Sequence, residues 1–135
     1  MRKQYHLSPG GRAFDAWDVD RLIRLSADLP VVEVPVSSFR ELDTPHWWMP
    51  GDAPLTVNDV ITHMRLVRDV DPAYPVILGS DGRVMDGMHR IARAVLEERE
   101  TIRAVRFPVD PEPDVRNCRP EDLPYDDRPD RPGHP

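Results

Sequence analysis

Apolar and polar residues alternate along this chain with a period that changes several times. From Thr56 to Val70 the apolar positions Val57, Val60, Ile61, Met64 and Val67 recur at three- and four-residue intervals, the spacing of one face of an α-helix. Thr56 followed three residues later by Asp59 is a capping pattern, in which each residue gives a free amide of the first turn a partner. A helix is therefore expected over 56–70, with its stripe packed on a sheet. A second helical pattern covers 15–29, with Asp15 or Asp18 at its start and Val19, Leu22, Ile23 and Ser26 along one side. The run VVEVPV at 31–36 reads as a strand. Pro35 has no amide to donate, which pushes that strand to a sheet edge or to the end of its pairing.

Residues 75–86 read PVILG, SDGR, VMD, two short apolar runs around a turn, and Asp81-Gly82 supplies the positive backbone angles of a hairpin. From Met88 to about Glu98 the helical period returns, with Ile91, Ala92, Val95 and Leu96 expected inward and Arg90, Arg93 and Glu97 outward. TIRAVRF at 101–107 then reads as a closing strand. The order helix, strand, helix, hairpin, helix, strand implies an α+β (α/β) fold, a compact domain with helices packed on a small mixed sheet. Residues 1–30 form an N-terminal helical extension in this reading, 31–107 the domain, and 108–135 a tail.

Charge and proline sharpen that division. The net charge is -6, from 24 acidic and 18 basic residues. The tail holds eight acidic and four basic side chains, so -4 falls on it and -2 on residues 1–107. It also holds eight of the 16 prolines, which bar helix; the tail is expected to be extended, disordered at its end, with DLPY at 122–125 left to dock. A nearly neutral body lacks the basic excess that phosphate-backbone binding uses, which counts against nucleic acid as a direct partner. A chain of 135 residues can bury a core without disulfides or a structural metal. The single cysteine, Cys118, has no partner and no metal-ligand spacing, which points to a reducing, cytoplasmic setting. No leader pattern follows the first residues, and no apolar run reaches membrane-spanning length.

The chemistry concentrates in VMDGMHRIAR at 84–93, where a strand gives way to a helix. Gly87 allows a tight turn and a close approach, and the first amides of the helix lack internal partners and carry its positive dipole end. With His89 and Arg90 alongside, such a corner suits phosphate oxygens. Asp86 has two readings: it orients Mg²⁺ or accepts a substrate proton, or it caps the helix. In TPHWWMPG at 44–51, Trp47 and Trp48 either cover a base or small substrate or fold back on the core as a satellite cluster. His63 is expected partly buried near the stripe of helix 56–70.

These residues carry a resemblance. VEVPVSSFREL, the helix at 56–70 and YPVILGSDGRVMDGMHRIARAVLEERETIRAVRF together resemble the ParB N-terminal and sulfiredoxin superfamily over roughly 31–107. Sulfiredoxins have Gly-Cys-His-Arg where this chain has Gly87, Met88, His89 and Arg90; ParB has Gly-Glu-Arg-Arg there, and the free serine kinases of that fold Asp-Gly-His-His-Arg. The resemblance implies a nucleotide site, ATP or ADP with CTP as a further option, with phosphates on Gly87, Met88, His89 and Arg90; Mg²⁺ at Asp86 and a lid of Trp47 and Trp48 complete the expectation. It also implies a catalytic glutamate, for which Glu33 and Glu41 are candidates beside Asp86 and His89. Met88 replaces the sulfiredoxin cysteine, and a thioether is no thiolate nucleophile, so sulfiredoxin activity is excluded. The first expectation is thus a phosphotransferase or nucleotide hydrolase acting on a small hydroxyl acceptor or water. The second is a non-catalytic, nucleotide-switched module, acting as a homodimer or with a protein or DNA-associated partner.

Overall fold

Asp18 decides where the first helix begins: its side chain accepts from the amide of Asp20, and the helix starts at the next residue, Val19. The computed structural model describes residues 4–9, 13–48 and 51–124. In chain order these form β1 (Tyr5–Pro9), β2 (Phe14–Asp18), α1 (Val19–Ser26), β3 (Val32–Pro35), α2 (Val57–Asp69), β4 (Val76–Leu78), β5 (Val84–Asp86), α3 (Met88–Leu96), β6 (Thr101–Arg106) and β7 (Val115–Cys118). Short 3-10 turns lie at Val36–Ser38, Arg40–Asp43 and Pro120–Asp122. The class is mixed α+β, as the order of periods predicts. The chain divides into two units, one of Met1–Asp28 with Val109–Pro135, the other of Leu29–Pro108.

The first unit is a three-stranded antiparallel sheet in the order β1-β2-β7, with α1 following β2. Ala16, Cys118 and Leu123 are buried at its centre, with Tyr5, Leu7 and Val115 packed around them. Trp17 donates its indole N–H to the Pro111 carbonyl at 2.7 Å, and Arg21 donates to the Glu112 carbonyl at 2.7 Å. Two expectations are corrected here. Residues 14–18 are a strand and not the start of a helix, because the ladder with β1 takes up their backbone groups. The tail segment 115–118 is extended, as expected, but it is a paired strand, with Val115 opposite Ala16 and Cys118 opposite Phe14 across a shift in register. The disorder expected at the chain's end falls outside the described residues, as does Tyr125 of DLPY.

The second unit holds the candidate chemistry. Its four-stranded mixed sheet has the order β3-β6-β4-β5: β4 and β6 run parallel, the two outer pairs antiparallel. Pro35 ends a β3 that lies at the edge of the sheet, where its missing donor costs no ladder bond. Gly82, at φ +87°, makes the β4–β5 turn, and its amide donates to the Gly79 carbonyl. Phe39, Val76, Leu78, Val84, Met88, Ile91 and Ala104 form the core, with Val34, Trp47 and Ile102 against it.

The two helices of this unit differ from expectation in which side they bury. On α3 the inward residues are Met88, Ile91 and Ala94, while Val95 and Leu96 are exposed. The small Ala94 lets the helix lie close to the sheet, which the larger Val95 at that place would not. On α2 the capping box of Thr56 and Asp59 is present, yet of the stripe only Val67 is buried. Val57, Val60, Ile61 and Met64 are 77, 43, 36 and 63% exposed. This helix packs mainly on α3, and only its C-terminal half finds cover. Among the described residues no helix is long and apolar enough to cross a membrane.

Candidate functional site

The corner between β5 and α3 is built around Gly87. Its φ of +113° lies in the left-handed region, where a side chain is strained. A Cβ placed there would stand 2.9 Å from Nη2 of Arg90, 3.1 Å from Cγ2 of Val76 and 3.2 Å from its Cα. The close approach that a glycine was expected to permit is therefore made by the protein itself. Arg90 folds back over the turn, donating to Oδ2 of Asp86 at 3.0 Å and to the Pro75 carbonyl at 3.4 Å. Both side chains of this ion pair are largely covered, at 12 and 19% exposure. Nε of Arg90 is buried and finds no acceptor among the described residues. The spacing of four between Asp86 and Arg90 was the sequence signal for this pair.

His89 lies on another side of α3 and meets α2. Its Nε2 is 2.9 Å from Nδ1 of His63, so one imidazole donates N–H and the other accepts. The two rings are nearly parallel, with centroids 5.1 Å apart. Trp47 lies flat over both, 4.3 Å from His63 and 4.6 Å from His89, with interplanar angles of 18 and 11°. Trp48 packs at an angle against His63 and edge-on to Trp47. A stack of aromatic rings from three separate segments thus lies beside the first turn of α3, whose amides receive no side-chain cap from Gly87.

The charge at this corner is smaller than the residue types suggest. Burial pushes the His89 pKa down to about 4, and the neighbouring His63, His46 and Arg90 push the same way. His63 is lowered too, by burial against the weaker pull of the Asp59 carboxylate. His46 is exposed as a residue, but packing around its ring lowers it, opposed by Glu41. At neutral pH, His89 therefore brings hydrogen-bonding capacity and a ring face, not the positive charge expected of it. Asp86 does not stand free for the metal expected there: Arg90 balances its carboxylate. Asp86 does not cap the helix either.

No family model, curated protein or solved structure matches this chain. Its site stands on geometry alone.

Glu41 lies elsewhere in the unit. Its Oε2 accepts from the amide of Val84 at 2.7 Å, tying the turn at Arg40–Asp43 to the start of β5. It faces a groove of about 490 Å³ that it shares with Arg40, Arg83 and Arg106. Glu33 lies on the edge strand β3 and lines a second groove, of about 160 Å³, with Arg90, Arg93 and Arg103. Neither groove is lined by His89 or Trp47. The structure thus brings together His89, His63, Trp47 and Trp48, and separately Asp86, Gly87 and Arg90; Glu33 shares a groove with Arg90, while Glu41 lines another. Sequence reasoning missed the partnership of His63 with His89. Its only signal was a histidine on the side of α2 that must face a neighbour.

Proposed function

We propose that the second unit binds a nucleotide at the start of α3, with its phosphates on the amides of Met88, His89 and Arg90 and its base on the Trp47, His63 and His89 rings. The observation that carries this reading is the aromatic stack beside an uncapped helix N-terminus. A base recognises the first by stacking, and phosphates recognise the second through N–H groups and the dipole. The resemblance of DGMHR to the ParB and sulfiredoxin motifs supports the same choice of ligand. Binding without turnover fits the corner better than catalysis, because Asp86 is held by Arg90 and Glu41 by the Val84 amide. The neutral His63–His89 pair is the one group there able to take up a proton, and it favours a hydrolase or phosphotransferase as the second reading.

Calorimetric titration of ATP, ADP, CTP and GTP into the intact chain tests this. Binding is expected for at least one nucleotide, about tenfold weaker after Trp47→Ala, which removes one stacked ring worth roughly 1 to 3 kcal/mol. No heat with any of the four at millimolar concentration would overturn the proposal. Product release on prolonged incubation, lost in His89→Gln, would select the catalytic reading.

A further inference from the structure

The groove that Glu41 faces lies where the two parallel strands of the second unit end. Leu78 and Arg106 are the last residues of β4 and β6, stand opposite each other in the ladder, and both line it. Sheets with parallel strands commonly take ligands in the crevice beyond their carboxyl ends. The groove has a volume of about 490 Å³, the size of a small-molecule site, and its lining joins two kinds of surface. Val34, Phe39 and Leu78 are apolar, the last two buried members of the core. Arg40, Arg83 and Arg106 are cationic.

The charges there do not cancel. Two carboxylates, Glu41 and Asp81, stand against the three guanidinium groups, which leaves one positive charge. Both carboxylates are already engaged by the backbone: Glu41 accepts from the Val84 amide at 2.7 Å, and Asp81 from the Arg83 amide at 3.1 Å. Arg106 donates from Nε to the Ser80 carbonyl at 3.0 Å, and Nη1 of Arg83 lies 3.9 Å from Oδ2 of Asp81. The guanidinium of Arg40 is different, for it is exposed and has neither hydrogen bond nor ion pair among the described residues. A guanidinium presents paired donors that match the two oxygens of a carboxylate. We propose that this groove binds a small organic monoanion, a carboxylic acid with an apolar tail, its carboxylate on Arg40 and its tail against Val34, Phe39 and Leu78. One carboxylate balances the excess charge, whereas a phosphate monoester, with close to two negative charges at neutral pH, would exceed it. The site uses no residue of the Trp47, His63 and His89 stack and stands without the nucleotide reading.

Amide shifts in the proton–nitrogen correlation spectrum of the full chain, followed during titration with hexanoate, heptanoate, octanoate and neutral hexanol, test this. The amides of Phe39, Leu78 and Gly82 are expected to move with the carboxylates, while those of His63 and His89 stay. Octanoate is expected to bind with a Kd on the order of 1 mM, ordinary for a ligand of its size. Affinity should fall about fourfold for each methylene removed from the tail. Hexanol should bind about tenfold more weakly than hexanoate, and octanoate about tenfold more weakly to Arg40→Gln, since each change removes a hydrogen bond between charged groups. Arg40 is exposed, so replacing it leaves the core intact. Amides unmoved at about 20 mM octanoate would sink the proposal. So would hexanol binding as well as hexanoate, or Arg40→Gln binding octanoate as the wild type does. Shifts centred on His63 and His89 would also refute it, by placing the acid on the ring stack.

Discussion

At position 87 a methyl group has nowhere to go. It would meet the guanidinium of Arg90, which can shift, and the backbone of Val76, which cannot, at a φ of +113°. Gly87→Ala is expected to cost about 2 to 4 kcal/mol, the sum of an unfavourable backbone angle and a backbone clash. Urea unfolding would show this as a lower midpoint with an unchanged slope. The Asp86–Arg90 pair beneath it is the next test. Removing either partner leaves a mostly covered charge alone, so a double-mutant cycle of Asp86→Ala and Arg90→Ala should give a coupling of about 1 to 3 kcal/mol. The histidines make the residue scale pH-dependent. His89 titrates near 4 in the folded chain and near the ordinary 6.5 once unfolded, so below 6.5 the unfolded chain takes up the proton that the folded one refuses. Its stabilising share is complete above pH 6.5 and disappears as pH falls toward 4, on the order of 2 kcal/mol. Thermal melts at pH 7 and pH 4.5 should differ by less in His89→Gln than in the wild type.

Helices and strands were legible in proportion to how locally they are determined. The capping box of α2 is a four-residue signal and was read directly from Thr56 and Asp59; the hairpin of β4 and β5 was read from Asp81-Gly82. Thr56→Ala should remove one side of that box and cost about 1 kcal/mol of stability, measurable by denaturant titration. The strands β2 and β7 were not read, because FDAWD and VRNC carry only a weak alternation and pair with each other across about a hundred residues. The Pro-Gly-Gly run at 9–11 was the local clue that the segments on either side are separate elements. Burial was the least legible property. The α2 stripe has the period of a buried face, but period reports which residues share a side, not what lies opposite. The corner was located correctly by Gly87 and His89, while the partners of His89 and Arg90 depended on where α2 and β4 pass.

The whole chain is assembled from a unit that is continuous in sequence and one that is not. Leu29–Pro108 contains its own sheet, both flanking helices and the core around Ile91. That segment expressed alone is expected to unfold as one cooperative transition, whereas a chain ending at Pro108 should keep that transition and lose the protection of the amides of β2. Hydrogen exchange on the truncated chain would separate the two. The reason lies in the pairing of β2 with β7, together with the contacts of Trp17 with the Pro111 carbonyl and of Tyr5 with the Pro124 carbonyl. During synthesis this sets an order of events. The β1–β2 pair leaves the ribosome before the other elements and waits with one edge open while the second unit is made and folds. It closes only when Val115 to Cys118 emerge, so of these elements the earliest made is among the last to be finished.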